Sequence, residues 1–177
     1  MKMRKIFFCI ILFLLSRGIG FSCNQREDYD SINFVSENIY KILKDSLSQF
    51  ELPNNMVFNE SWKEYTVSKY PYICKSDFNG DEIFDFVFTL ASKNHKELLV
   101  CVFLSNKKTY NIFKIKQFSL DEKEIPLVLN IEKKGVWESP NGKRLIKNNG
   151  FVIYWVTESK SYIYYWNKNK FDRFYTD

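Results

Sequence analysis

The sequence predicts an α+β fold: one N-terminal amphipathic helix packs on an antiparallel meander sheet of about eight strands, curled like partial propeller blades. Apolar residues recur at steps of three and four before residue 50 and at steps of two after residue 72. Short polar turns separate the later apolar runs. The chain has 177 residues, 45% hydrophobic and 18% aromatic, which suits one domain and excludes a disordered chain.

Residues 1–22 are predicted to be an export signal. Lys2, Arg4 and Lys5 precede an unbroken apolar run over residues 6–15. As a helix this run would rise only ~15 Å, half of a ~30 Å hydrocarbon core. A basic start and a short apolar run are typical of a signal peptide. The predicted location is therefore the periplasm or the outer face of the envelope.

Residues 20–23 read Gly-Phe-Ser-Cys. Relative to cleavage after Ser22, the cysteine is at position +1 and small residues are at −3 and −1. This segment resembles the lipobox of bacterial lipoproteins, in which the cysteine carries the lipid. The resemblance implies that Cys23 is lipidated and that the protein meets the membrane through its N-terminal lipid only. Ordinary signal-peptidase cleavage after Ser22 is the alternative.

Most of the formal net charge of +5 belongs to the signal segment. Residues 1–22 contain four basic and no acidic side chains, so residues 23–177 carry 22 basic against 21 acidic side chains. A net charge of +1 does not indicate the basic surface that nucleic-acid binding requires. The predicted partner is a protein or a glycan, and the chain is predicted to be a monomer.

One helix is predicted at the start of a single domain spanning residues 31–177, after a polar tether at residues 23–30. Asp30 or Ser31 can cap the helix, and Pro53 marks its end. The polar face mixes acidic and basic residues, which favours packing on a sheet over binding at a membrane surface. The apolar stripe consists of Ile32, Val35, Ile39, Ile42 or Leu43, Leu47 and Phe50.

The strands are predicted from alternating apolar residues bounded by turn-forming residues. The absence of helical periods between them indicates antiparallel meanders and excludes a parallel βαβ fold. The predicted strands are residues 83–91, 98–105, 110–116, 127–132, 143–147, 151–157, 162–166 and 171–175.

Residues 77–85 read Asp-Phe-Asn-Gly-Asp-Glu-Ile-Phe-Asp and place side-chain oxygens at positions 1, 3, 5 and 9. Calcium prefers six to eight oxygen ligands, and alternate carboxylates in a tight loop can supply them. Position 12 is Phe88, which excludes an EF-hand. The loop is therefore predicted to be a hairpin connection that runs directly into a strand.

At these residues the chain resembles the FG-GAP and VCBS-type repeat proteins, whose hairpins carry D-x-[DN]-x-D-G-x-x-D. The resemblance covers residues 75–105, and more loosely the C-terminal aromatic hairpin. It implies a calcium site in which Ile83 supplies its carbonyl oxygen. The side-chain ligands that it implies are Asp77, Asn79, Asp81 and Asp85.

Glu82 occupies position 6, where the family has glycine. A left-handed conformation there would cost a non-glycine residue ~1–2 kcal/mol, so calcium binding would be weaker than in the family. The alternative is a metal-free turn in which Asp77 and Asn79 accept hydrogen bonds from the loop backbone.

The last strands carry an aromatic cluster that can serve as a binding surface or as core. Aromatic residues occupy both alternating sets of positions, so one face of these strands must be buried. If a binding surface exists, we expect it at Tyr154, Trp155, Tyr162, Tyr164 and Trp166.

Cys74 and Cys101 are predicted to be unpaired, buried thiols. In a meander, one strand separates them, so their strands lie ~9.6 Å apart, beyond the ~7 Å Cα limit for a disulfide.

These residues predict an exported, envelope-tethered binding module whose hairpin loop is stabilised by calcium. An immunity-type inhibitor lipoprotein that blocks a toxin is one alternative, and a hydrolase of cell-wall or sugar substrates is another. An enzyme is not predicted, because the sequence has no nucleophile elbow, phosphate loop or zinc spacing and its only histidine, His95, falls in a polar turn. Carboxylates brought together by the fold would be needed for hydrolysis.

Overall fold

The computed structural model describes residues 35–53, 57–58, 60–66, 70–120, 124–139, 142–156 and 161–176. The predicted signal, the polar tether and Cys23 lie outside the described residues. Helix α1 spans Glu37–Ser46, and a 3-10 helix spans Glu60–Glu64. No helix within the described ranges is long and apolar enough to cross a membrane.

Strands dominate the described chain. The first seven are β1 (Phe50–Glu51), β2 (Val57–Phe58), β3 (Ile73–Ser76), β4 (Asp85–Ser92), β5 (Glu97–Ser105), β6 (Tyr110–Ser119) and β7 (Glu124–Ile125). The remaining six are β8 (Leu127–Glu132), β9 (Gly135–Ser139), β10 (Gly142–Ile146), β11 (Gly150–Trp155), β12 (Ser161–Asn167) and β13 (Lys170–Thr176).

The strands form two main sheets and two minor ones. The first sheet has the order β1-β4-β5-β6, with β3 also pairing with β4, and the second has the order β13-β12-β11-β8. Strands β9 and β10 form a separate antiparallel hairpin, and β2 pairs with β7 in parallel. All pairs within the two main sheets are antiparallel.

The α+β prediction is wrong. The described residues are mostly antiparallel sheet, with 57% of them in strands, one short α-helix and sheets that do not close. The apolar stripe at residues 35–50 is buried as expected, but only residues 37–46 are helical, and Phe50 already belongs to β1. Buried apolar residues continue at steps of three and four beyond the end of the helix, at Leu47 and Phe50. The sequence pattern therefore predicted a longer helix than the structure contains.

The prediction of one sheet of about eight strands is also wrong. Alternating apolar residues show which face of a strand is buried, but they do not show which other strands it pairs with. Every residue of β4 is buried, so both faces of this strand are covered. One face packs in a core between the two main sheets, whose fully buried side chains include Phe78, Phe151, Leu98, Ile125, Leu127 and Leu129. The opposite face packs with Ile39 and Leu43 of α1.

A third cluster covers the outer face of the second sheet. Ile146 of β10 packs there with Val152 of β11 and Ile163 of β12, and Trp137 of β9 packs against them. The β9–β10 hairpin therefore acts as a further layer on the second sheet.

The prediction for the thiols is confirmed. Cys74 on β3 and Cys101 on β5 are buried and free, with β4 between their strands. They also belong to different cores, Cys74 to the one between the sheets and Cys101 to the one under α1. Burial raises the pKa of both thiols.

Candidate functional site

The loop between β3 and β4 is a hairpin connection, as predicted, because Ser76 pairs directly with Asp85. Asp77 organises its backbone. The Asp77 Oδ1 atom accepts hydrogen bonds from the N–H groups of Gly80 (2.6 Å) and Asp81 (3.2 Å), and Oδ2 accepts one from Glu82 (2.9 Å). One carboxylate thus satisfies three donors of the turn.

Asn79 and Asp81 continue this network. Asn79 Oδ1 accepts a hydrogen bond from the Asp81 N–H group at 3.0 Å, and Asp81 Oδ1 accepts one from the Ile83 N–H group at 2.9 Å. Asn79 Nδ2 donates to Asp81 Oδ2 at 3.1 Å. These are the bonds of the metal-free alternative.

Asp85 differs from the other predicted ligands because it is fully buried. Its Oδ2 atom accepts a hydrogen bond from the Phe78 N–H group (2.9 Å), and Oδ1 accepts one from the Ser105 N–H group (2.8 Å). Burial raises the pKa of Asp85 to about 6, against the opposing effect of these two donors. Asp85 thereby joins the loop to the end of β5.

Within the described ranges, no three histidine, cysteine, aspartate or glutamate side chains are grouped so that they could hold a metal ion. Asp77, Asn79 and Asp81 share one turn, whereas both Asp85 oxygens accept hydrogen bonds from backbone N–H groups outside that turn's network. Calcium binding at Asp77, Asn79, Asp81, Ile83 and Asp85 stays a prediction from the sequence.

The left-handed conformation considered for position 6 is present, since Glu82 has φ 66°. Gly80 has φ 83°, and a Cβ added there would meet the Asn148 side chain at 2.8 Å. The loop therefore lies against the turn between β10 and β11. Asn149 in the same turn donates through Nδ2 to Ser76 Oγ at 2.8 Å.

The five aromatic residues predicted as a binding surface do not lie on one face. Tyr164 is buried in the core between the sheets, and Trp155, Tyr162 and Trp166 pack against that core. Tyr154 packs against the cluster on the opposite face of the second sheet.

Each aromatic residue of this set has partners within the fold. Trp155 packs edge-on against Phe118, and Trp166 packs edge-on against Phe113. These contacts are the ones expected of core aromatic residues, the alternative considered for this cluster.

Tyr154 forms a polar contact on the outer face of the second sheet. Its hydroxyl group donates to Glu132 Oε1 at 3.3 Å, and its ring lies 5.7 Å from the Tyr65 ring. Burial raises the pKa of Glu132, and the hydrogen bond from Tyr154 opposes this effect.

The β9–β10 hairpin carries exposed apolar side chains that the sequence reasoning missed. Val136 and Leu145 are direct partners across the hairpin and are 62% and 61% exposed. Their neighbours Trp137 and Ile146 point into the cluster on the second sheet. The sequence Pro140-Asn141-Gly142 is typical of a hairpin turn, but only the strand after it was predicted.

Comparison with models of protein families, with curated proteins and with solved structures finds no match for this chain. The resemblance to FG-GAP and VCBS-type repeats stays an expectation from the sequence of residues 75–105 and, more loosely, of the C-terminal aromatic hairpin.

Proposed function

We propose that this protein is an exported binding module and that its contact surface for a partner includes the β9–β10 hairpin. The proposal of export rests on the basic and apolar N-terminal sequence. The proposal of binding rests on one observation, the adjacent exposed side chains of Val136 and Leu145.

Adjacency distinguishes this pair from other exposed apolar residues. Single exposed apolar side chains are common on protein surfaces, whereas contiguous apolar patches larger than a few hundred Å² mark interaction sites. Tyr40 on α1 and Phe84 in the loop between β3 and β4 are also exposed, but neither lies on the β9–β10 hairpin. The Phe84 ring also lies under Lys75, whose Nζ atom is 4.5 Å from the ring centroid.

The two carboxylates whose pKa values burial raises, Asp85 and Glu132, have roles in the fold. A general acid or base must reach a substrate proton. Asp85 is fully buried, and both its oxygens bond to the backbone. Glu132 accepts a hydrogen bond from Tyr154, whose ring packs against Tyr65. Both carboxylates therefore have structural partners.

The proposal is tested with the full chain carrying a C-terminal affinity tag. Cell fractionation should place the tagged chain in the envelope or periplasm. Partners captured from that fraction by the wild-type chain should be lost from the double variant Val136→Ser/Leu145→Ser. The matched control, Tyr40→Ser/Phe84→Ser, removes two exposed apolar side chains elsewhere and should retain the partners.

Thermal melts of all three proteins would show whether the variants remain folded. Cytosolic location of the intact chain would overturn the proposal of export. Equal capture by the wild-type chain and the folded hairpin variant would overturn the proposal that the hairpin binds the partner.

A further inference from the structure

The β9–β10 hairpin and its flanks concentrate positive charge. Residues 133–147 contain five cationic side chains and one carboxylate, a net charge of +4. Residues 23–177 together carry only +1, so the rest of that span has a net charge of −3. The cations are Lys133, Lys134, Lys143, Arg144 and Lys147.

The register places cations on both sides of the exposed Leu145 side chain. Lys143 and Leu145 occupy alternate positions of β10, Lys147 directly follows the end of the strand, and all three are exposed. Because side chains alternate between faces of a strand, Lys143 and Leu145 share the outward face of β10. Lys143 forms an ion pair with Glu138 across the hairpin. None of the ion pairs formed between described residues involves Lys147.

Residues 143–146 of β10 have one edge that no described strand covers. Strand β10 pairs only with β9 among the described strands, and β9 in turn lies near β13. An unpaired edge presents alternate N–H and C=O groups, to which an extended segment can add as a further strand.

We infer that the partner contributes an extended acidic segment that pairs with the β10 edge. On the outward face, an apolar residue of this segment would lie opposite Leu145 and a carboxylate opposite Lys143, and a second carboxylate would lie near Lys147. Cross-strand pairs of this kind stabilise an added strand through apolar contact and opposite charge. This inference rests on the proposed function and specifies the chemistry of its partner.

The charges favour this occupant over two others. A second copy of the chain would bring another hairpin of net charge +4, so hairpin-to-hairpin contact would be repulsive. An anionic lipid surface would match the charge, but it has no peptide groups to pair with the open edge of β10. An acidic strand could pair its backbone with the edge of β10, contact Leu145 with an apolar side chain, and place carboxylates near the hairpin cations.

The test measures binding of a fluorescent, acetylated peptide, Thr-Glu-Thr-Val-Thr-Glu-Thr, to the full chain by anisotropy. The wild-type chain should bind saturably, and binding should weaken as sodium chloride is raised. Lys147→Glu should weaken binding by about tenfold because it places like charges opposite each other. The matched control is Lys114→Glu, which changes an exposed cation on β6, an edge strand of the first sheet. It should leave binding unchanged.

A charge-swapped peptide with lysine in place of glutamate completes the test. It should bind Lys147→Glu more tightly than it binds the wild-type chain. Equal binding of the acidic peptide by wild type and Lys147→Glu would overturn the inference. So would sedimentation of the wild-type chain with phosphatidylglycerol vesicles in the absence of peptide binding, or a dimer in solution that Lys147→Glu alters.

Failure of this inference is distinguishable from failure of the proposed function. If partner capture depends on Val136 and Leu145 but the acidic peptide does not bind, the hairpin is a binding surface and the acidic strand is wrong. If capture is independent of these residues, the proposed binding surface itself is wrong.

Discussion

Asp85 combines full burial with two backbone hydrogen bonds, and its protonation is therefore coupled to folding. Burial disfavours the charged form, and this effect exceeds that of the N–H donors of Phe78 and Ser105, so the pKa rises to about 6. Between about pH 4 and pH 6 the folded chain holds a proton that the unfolded chain has lost. The free energy of unfolding must then decrease as pH increases.

We expect the contribution of Asp85 to decrease the free energy of unfolding by about 2 kcal/mol between pH 3.8 and pH 6, and by about 3 kcal/mol in total from well below to well above that range. Urea denaturation across this pH range measures the change. The matched variant Asp85→Asn cannot ionise, so its difference from wild type should depend on pH. A difference independent of pH would contradict the raised pKa.

Glu82 adopts a left-handed backbone conformation in a turn where glycine is favoured. Glu82→Gly should increase the free energy of unfolding by about 1 kcal/mol, because it relieves the Cβ strain at the expense of a more flexible unfolded chain. Thermal or urea denaturation measures this change. Glu82→Ala removes the same charge but keeps the Cβ atom, so an equal gain in both variants would attribute the effect to charge.

At the scale of the elements, the loop between β3 and β4 depends on Asp77. Asp77→Ala removes the acceptor of three backbone donors, so we expect a loss of about 1–3 kcal/mol of unfolding free energy in EDTA. The matched control Glu82→Ala removes a neighbouring carboxylate without removing an acceptor of these bonds. A stability equal to wild type would contradict the role of Asp77 in the turn.

The wild-type chain and the Asp77→Ala variant also test calcium binding. A ligand at 100 times its dissociation constant stabilises the folded state by ~2.7 kcal/mol. If the prediction from the sequence is right, millimolar calcium raises the melting temperature of wild type and not that of Asp77→Ala. An unchanged melting temperature of wild type would leave the metal-free turn as the correct interpretation.

Strand β11 approaches β12 so closely that Gly150 cannot be replaced without movement. A Cβ atom at Gly150 would lie 2.6 Å from the Tyr164 carbonyl oxygen, a backbone atom that cannot rotate away. Gly150→Ala should therefore lower the free energy of unfolding by more than about 1 kcal/mol. Gly135→Ala in β9, where nothing lies within 4 Å, is the control and should have little effect. Similar losses in both variants would contradict the close approach.

The strands show which elements the alternation of apolar residues predicts and which it misses. Alternation located β4, β5, β8 and β12 near their observed positions, because each buries at least one face. It missed β9, in which the exposed side chain of Val136 alternates with the half-buried Trp137. A strand whose apolar residues point to both solvent and core has no clear period.

At the scale of the whole molecule, two sheets share one interior, and Phe151 lies at its centre. The Phe151 ring stacks on Tyr164 at 5.2 Å and meets the edges of Phe78 and Phe171. It thereby joins the second sheet to the loop that follows β3.

Phe151→Ala should lower the free energy of unfolding by about 3–5 kcal/mol, because the cavity it leaves borders both sheets. Urea denaturation monitored by tryptophan fluorescence provides the measurement. Phe84→Ala makes the same substitution at a 52% exposed position and should change stability much less. A small effect at Phe151 would contradict a shared core.

The candidate site was only partly predictable from the sequence, because part of it depends on contacts between strands that are distant in the chain. The Asp77–Asp85 segment was identified from its own residues, because a hairpin loop places its donors and acceptors within a few positions. The packing of Tyr164 and Trp166 depends on strands far along the chain, such as β6, and no local pattern indicates it.

The sequence by itself determined the strand-rich chain after residue 72, the loop and the separation of the two thiols, since these follow from alternation and local hydrogen bonding. Only the tertiary structure decided that the strands divide into layers, that α1 is short, and that Val136 and Leu145 remain exposed. The physical reason is that burial depends on which faces meet, and residues distant in sequence supply the opposing face.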